Sequence, residues 1–129
     1  MTQTDPYSQA PGDALDADTL QQLVDLDDGS LGLVKEMLEI FRDDTPLRID
    51  ALDEAVKANN REAMGDVAHA IKGASATIGA PKVRAIALAL EMAGRKGVSE
   101  EEPQVLVVRL REEFQRALDA LSAFIAARS

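Results

Sequence analysis

Cysteine is absent from the 129-residue sequence, which excludes disulfides, thiolate nucleophiles and metals held by cysteine. Aromatic residues are scarce at 3 % and tryptophan is missing, whereas alanine and leucine are abundant, a balance that favours helices over strands. No apolar run approaches the roughly 20 residues that span a bilayer, and the polar, acidic N-terminus does not resemble a secretory signal. We therefore expect a cytoplasmic protein with no membrane segment.

Basic residues are missing from the first 30 positions, which hold seven of the 23 acidic residues and account for most of the formal net charge of −9. The rest of the chain is nearly neutral. This pattern is the opposite of the basic footprint of a nucleic-acid-binding protein, so no nucleic-acid partner is expected. We interpret the acidic stretch as a solvated tail followed by a polar helix face.

The polar residues 1–13 contain two prolines and a glycine and are predicted to be a disordered lead-in. The remaining residues, 14–129, have the size of one domain. A short first helix is expected over about 16–26, and Ser30 is a candidate N-cap for the helix that follows. The apolar side of the first helix consists of Leu20, Leu23 and Leu26.

The second helix ends before a turn at Asn59 and Asn60. Its apolar residues recur at alternating spacings of three and four, as the buried face of a helix requires. Pro46 lacks a backbone donor and clashes with the preceding turn, so we expect a bend or a break there; the unbroken register of the stripe favours a bend. The main stripe is Leu31, Val34, Leu38, Phe41, Thr45, Ile49, Leu52 and Val56, and a second stripe, also expected to be buried, is Leu33, Met37, Ile40, Leu47 and Ala51.

Three further helices are predicted, over about 61–78, 81–95 and 103–127. Gly79 is a natural C-cap, Pro81 suits the first turn of the next helix, and Ser99 with Glu102 has the spacing of a capping box. Four long amphipathic helices with short turns predict an all-α fold, an antiparallel up-and-down four-helix bundle with a short additional N-terminal helix. Core candidates on the last two helices are Val83, Ile86, Leu90, Ala93, Leu106, Leu110, Phe114, Leu118, Leu121 and Ile125.

His69 is the only histidine and lies in the third helix. On a helical wheel of about 100° per residue, the apolar residues of this helix fall opposite His69, so we expect its imidazole to point to solvent. The expected core side is Met64, Val67, Ile71, Ala74 and Ile78, and the expected outer neighbours of His69 are Glu62, Gly65, Asp66, Lys72, Gly73 and Ala76.

Two of those outer neighbours are glycines, each of which costs a helix about 1 kcal/mol relative to alanine. Gly73, one turn after His69, is predicted to leave the imidazole accessible to a partner surface. An exposed imidazole is largely neutral at pH 7 and has a lone pair that can attack phosphorus. Lys72 is placed to pair with the negative phosphoryl oxygens. Alternatively, Lys72 is an ordinary surface lysine that pairs with Asp66 or Asp43.

The run from Ala68 to Ala80, AHAIKGASATIGA, resembles the signature of histidine-containing phosphotransfer (HPt) domains of bacterial phosphorelays. The match consists of His-x-x-Lys-Gly followed by Gly79-Ala80, together with the helix of Glu91 that follows and the stretch from Phe41 to Pro46 before it. Ile71 stands where the family often has leucine, and the resemblance covers about residues 16–127. It implies that His69 is phosphorylated through Nε2, that Lys72 supports the phosphoryl group and that Gly73 gives the partner access. It also implies a carrier without an ATP site, and the sequence contains no glycine-rich phosphate loop.

The implied partner is the receiver domain of a response regulator or hybrid sensor kinase, which supplies the aspartate and its Mg²⁺. If the second and third helices form an antiparallel hairpin, His69 lies level with residue 50 and is flanked by Leu47, Asp50, Ala51 and Glu54. We predict an apolar contact patch at Leu47 and Ala51. The full predicted partner-binding set is Gly65, Asp66, Ala76, Leu47 and Ala51.

Other readings predict different chemistry. A bundle that docks on receivers or kinases without being phosphorylated is the main alternative, and a purely structural bundle would require a buried histidine. A metalloenzyme is poorly supported because a single histidine and scattered acids give no ligand cluster, and Ser75 has no positioned partners for a hydrolase triad. No cofactor and no metal are expected of this chain, which we predict to be a monomer.

Overall fold

The computed structural model describes residues 14–129; the predicted lead-in over 1–13 lies outside the described residues. The described residues contain five helices and no strand. The helices are α1 (Ala17–Leu26), α2 (Gly32–Lys57), α3 (Arg61–Ile78), α4 (Pro81–Lys96) and α5 (Pro103–Arg128).

The four long helices form the predicted antiparallel bundle. Helix α3 packs on α2 and α4, and α5 closes the bundle by packing on both α2 and α4. Helix α1 packs on α2 and is anchored across the end that holds the α3–α4 turn, where the Asp16 N–H donates to the Gly79 carbonyl at 2.7 Å. The predicted all-α architecture, including the short N-terminal helix, is confirmed.

Local sequence explains most of the helix ends. Asn59 adopts a left-handed backbone with φ of 53°, and the Asn60 side chain caps α3 by accepting from the Ala63 N–H at 3.1 Å. Gly79 ends α3 with φ of 75° and Pro81 begins α4. The predicted capping box before α5 is wrong: Glu102 is the N-cap residue without a side-chain cap, and the Ser99 hydroxyl donates to the Glu101 carbonyl instead.

The core lies between all four long helices and includes the ring pair Phe41 and Phe114, whose centroids are 5.0 Å apart. Helix α2 runs unbroken through Pro46. Four residues predicted to be buried are not: Leu26, Ile40 and Leu47 are 77 %, 55 % and 69 % exposed, and Ala51 is also exposed. Leu26 is the last residue of α1, while Ile40, Leu47 and Ala51 border open grooves between α2 and α3.

Candidate functional site

His69 projects from the exposed face of α3, with 62 % of its side chain accessible. Its neighbour Ala68 and the following Ile71 are fully buried, so the helix is locked into the bundle on its other side. The wheel placed the histidine correctly, but the buried face is rotated from the predicted one. Val67 and Ala74 are only partly buried, whereas Gly65 and Ser75 are buried.

A carboxylate from the neighbouring helix holds the imidazole. Glu91 of α4 is 8 % exposed, and its Oε2 lies 2.8 Å from His69 Nδ1. The second oxygen, Oε1, lies 2.7 Å from the Lys72 ammonium, and the Arg95 Nε lies 3.7 Å from Oε2. One nearly buried carboxylate therefore contacts the histidine and two cations.

The surroundings keep this carboxylate ionised. The hydrogen bond from Lys72 is the largest influence and lowers the pKa of Glu91; burial opposes it, and the hydrogen bond with His69 lowers the pKa further. An ionised carboxylate has no proton to donate. The proton in the His69–Glu91 contact must therefore be on Nδ1.

This proton assignment fixes the chemistry of the ring. A neutral imidazole carries one N–H and one lone pair, so a proton on Nδ1 leaves the lone pair on Nε2. With Nδ1 occupied by Glu91, Nε2 is the nitrogen available as a nucleophile. The site can therefore accept an electrophile on Nε2 while Glu91 orients the ring.

Lys72 has a different partner from the two that the sequence suggested. Asp66 pairs with Arg95 at 2.9 Å and Asp43 pairs with Arg42 at 2.9 Å, whereas Lys72 pairs with Glu91. Only 24 % of the Lys72 side chain is exposed, so it is not an ordinary solvated lysine. An ammonium has three donors, and the contact with Glu91 leaves others for a further anion.

The two glycines of the predicted outer face differ. A Cβ added at Gly73 would meet no neighbouring atom within 4 Å, so the surface one turn after His69 is open, as predicted. The prediction that Gly65 is exposed is wrong. It is buried beneath Arg95, whose Nη1 would lie 3.1 Å from an added Cβ, because α3 and α4 approach most closely there.

The two residues of the predicted apolar patch share a groove with residues of α3 that are near His69 in the sequence. Leu47 and Ala51 are exposed and line a shallow groove of about 510 Å³ together with Val67 and Ala70 of α3. Asp50 turns away to pair with Arg111 of α5 at 2.8 Å, so it does not flank His69 as predicted.

The remaining predicted contact residues spread around this face. Asp66 is exposed and also borders the groove, and Glu54 is exposed. Ala76 is exposed but lies two turns beyond His69, in a cleft with Gly79 and Arg84. The structure thus gathers Leu47, Ala51 and Asp66 around one groove, with Val67 and Ala70 of the histidine helix, and leaves Ala76 apart.

Sequence reasoning assigned no role in the site to Glu91, although its helix is part of the family resemblance, and it missed Arg95. An available signal was the register of the α3–α4 hairpin: counting outward from Gly79 and Ala80 places position 69 level with position 90 or 91. A second signal was a glutamate directly after the core residue Leu90 in an otherwise apolar stretch of α4. Together these would have paired Glu91 with His69.

Two negative findings apply to residues 14–129. No group of three or more potential metal ligands comes together in this part of the chain. None of its helices combines the length and apolar character needed to cross a membrane.

Comparison with known proteins agrees with this geometry. Two solved structures share the fold. Histidine-containing phosphotransfer protein B from Pseudomonas aeruginosa PAO1 is 23 % identical, with a TM-score of 0.76; the match covers 87 % of this chain and 94 % of that chain. The histidine-containing phosphotransfer domain of ArcB from Escherichia coli is 21 % identical, with a TM-score of 0.79; the match covers 95 % of this chain and 98 % of that chain. Comparison with curated proteins finds no match. The family model "Hpt domain" matches residues 36–124, which include the histidine and every residue that contacts it. The chain therefore belongs to the Hpt family, the histidine phosphotransfer domains of phosphorelays.

Proposed function

We propose that His69 accepts a phosphoryl group on Nε2 from the aspartyl phosphate of a receiver domain and returns it to such an aspartate. The observation that carries the proposal is the hydrogen bond between His69 Nδ1 and the buried Glu91, on a ring that is otherwise exposed. This contact orients the imidazole and leaves the Nε2 lone pair facing solvent, where a second protein can approach.

The transfer is a displacement at phosphorus. The Nε2 lone pair forms the N–P bond while the P–O bond of the aspartyl phosphate breaks, and the partner's carboxylate leaves with the electron pair. The ring becomes a phosphoimidazolium whose proton stays on Nδ1, hydrogen-bonded to Glu91, so a negative carboxylate faces the new positive charge. Reversal of the same steps returns the phosphoryl group.

Lys72 and Gly73 complete the site in different ways. The Lys72 ammonium already lies against Glu91 and carries donors for phosphoryl oxygens, which places a positive charge beside the transferred group. Gly73 presents no side chain, so the partner's aspartate can reach Nε2. Loss of the lysine charge should slow transfer, whereas a large side chain at Gly73 should obstruct docking.

The docking surface that we propose is the α2–α3 face, defined as Ile40, Leu47, Ala51, Val67 and Ala70. Ile40 and Leu47 are large apolar side chains left exposed. Leu47 and Ala51 share a groove with Val67 and Ala70, which lie close to His69 in the sequence of α3, and Ile40 lines the next groove along α2, with Ala74 and Thr77. The receiver supplies the aspartate and Mg²⁺, and the chain acts as a cytoplasmic, monomeric carrier without an ATP site.

The proposal is tested by incubating the protein with a receiver domain charged with acetyl phosphate and Mg²⁺. The wild-type chain should acquire a phosphoryl label that is labile in acid and stable in base, as a phosphoramidate is, and His69→Gln should acquire none. Leu47→Ala and Ala51→Glu should slow the transfer without changing the helical content. A wild-type chain that binds the receiver but takes no label would instead be a docking module.

A further inference from the structure

The close crossing of α3 and α4 brings an arginine over the helix that carries the histidine. A Cβ added at Gly94 would lie 2.6 Å from both the Arg61 carbonyl oxygen and the Gly65 amide nitrogen, so the two backbones touch at these glycines. The next residue, Arg95, lies over Gly65, and its Cγ and Nη1 would be 3.2 and 3.1 Å from a Cβ there. A side chain at either glycine would displace this arrangement.

Arg95 and Lys72 bracket the imidazole. Arg95 pairs with Asp66, one turn before His69, while Lys72 follows the histidine by one turn. Both cations also approach Glu91: the Arg95 Nε lies 3.7 Å from the same oxygen that binds His69 Nδ1. The guanidinium therefore approaches the carboxylate that holds the ring, and its other partner, Asp66, lies on the side of His69 opposite Lys72.

The ion pair with Asp66, which holds Arg95 in this position, is weak. The Asp66 and Arg95 side chains are 63 % and 42 % exposed, and exposed ion pairs of this kind are easily exchanged because water competes with both charges. A phosphoryl group carries up to two negative charges and matches the planar fork of a guanidinium. A phosphoryl group on Nε2 would therefore compete successfully with the single carboxylate of Asp66.

We propose that Arg95 is a second phosphoryl-binding residue, held over Gly65 and ready to turn from Asp66 to the oxygens of phospho-His69. The inference rests on the proposed phosphorylation of His69. In this proposal the contact between Gly65 and Gly94 positions Arg95, because it brings α4 close enough for the guanidinium to lie across α3. Asp66 holds the arginine in place while the histidine is unmodified.

The experiment measures the phosphoryl group directly. The full chain is phosphorylated with phosphoramidate, and the ³¹P resonance of phospho-His69 is followed against pH in the wild type, Arg95→Gln and Lys96→Gln. Lys96 is the matched control because it is the next residue, is exposed, and loses the same charge. A cation beside the phosphoryl group favours its dianion, so Arg95→Gln should move the titration midpoint upward by about half a pH unit or more, and Lys96→Gln should leave it unchanged.

Transfer kinetics with the charged receiver test the positioning. Arg95→Gln should slow transfer about tenfold, less than the loss of a fully buried oxyanion donor because this site is open to water. Gly65→Ala should cause a similar loss by displacing Arg95, and the double variant should be no slower than either single variant. Asp66→Asn should transfer at least as fast as the wild type because it releases the arginine.

The outcomes separate the two proposals. If the wild type takes no label from either donor, the proposed function fails. If the wild type is labelled but Arg95→Gln matches Lys96→Gln in both midpoint and rate, only the role of Arg95 is refuted. Multiplying losses in the double variant would also refute it, because the glycine would then act independently of the arginine. Circular dichroism checks that each variant folds, and the Arg95 and Asp66 variants test the idea without altering the helix crossing.

Discussion

Gly65 and Gly73 lie on the same helix, two turns apart, on either side of His69, and they do opposite things. Gly65 is buried where α3 touches α4, and an added Cβ would crowd Arg95. Gly73 faces open space, where an added Cβ would meet nothing. The same residue type therefore allows two helices to approach on one side of the histidine and allows a second protein to approach on the other. Helical spacing alone assigned both to the outer face, so only the position of α4 distinguishes them.

The largest effect on stability should come from a substitution at the α3–α4 crossing, where Gly65 is buried. In Gly94→Ala the new methyl group would meet backbone atoms at 2.6 Å, and backbone cannot move aside as a flexible side chain can. The helices must separate, so we expect destabilisation of about 1–3 kcal/mol, measured by urea unfolding. Stability equal to the wild type would show that the α3–α4 crossing is looser than described.

Substitutions at the exposed Gly73 should change the rate of phosphoryl transfer and not lower the stability of the fold. Gly73→Leu should slow transfer from a charged receiver about tenfold, equivalent to about 1.4 kcal/mol, because the side chain occupies the space beside His69. Its unfolding free energy should not fall, since the position is exposed and leucine favours helices. Gly73→Ala is the matched control: it should be more stable by about 0.5–1 kcal/mol and transfer nearly normally. A Gly73→Leu variant with unchanged transfer would remove this side from the docking surface.

Glu91 contacts His69, between the two glycines. Its substitution should give the smallest effect, a change in how the unfolding free energy depends on pH. Its pKa is lowered in the folded protein, chiefly by Lys72, so its stabilising contribution is present above the ordinary glutamate pKa and is lost as the pH falls through the lowered folded value. Glu91→Gln should be less stable than the wild type by about 1 kcal/mol at pH 7, with a difference that narrows below the ordinary pKa.

Unfolding curves at several pH values check this prediction for Glu91. Glu112→Gln is a suitable control because it removes the same charge from an exposed position on α5. If the two glutamine variants lose stability in parallel at every pH, the ion pair between Glu91 and Lys72 contributes nothing specific.

Much of the fold could be predicted because it follows from local rules. Apolar spacing located the four long helices, and Asn60, Gly79 and Pro81 marked their ends through capping and backbone preferences. The errors concern neighbours. Ile40, Leu47 and Ala51 were assigned to a buried face because their spacing suits burial, yet all three are exposed along open grooves between α2 and α3. Ser99 was assigned as a cap because its spacing to Glu102 fits, yet the helix begins later.

The candidate site was predictable to the extent that it lies on one helix. The sequence placed His69 outward and put Lys72 and Gly73 one turn away, because these relations depend only on helical geometry. It did not place Glu91, Arg95 or the burial of Gly65, because those depend on where α4 lies and how closely it approaches. Buried charge alone would not have identified the site either: Glu113 is also buried, but its carboxylate pairs with Arg116 at 2.8 Å and with no histidine.

By itself, then, the sequence determined the helices, their ends and the outward direction of the histidine, since each is set by residues within a few turns of one another. Tertiary structure decided which nitrogen of the imidazole is free and which cations lie near it, since Glu91 reaches the ring from a second helix and Arg95 of that helix reaches Glu91 and Asp66. That division has one physical reason. Helical periodicity fixes the direction in which each side chain leaves its own helix, whereas contacts between two helices depend on how their whole faces pack together.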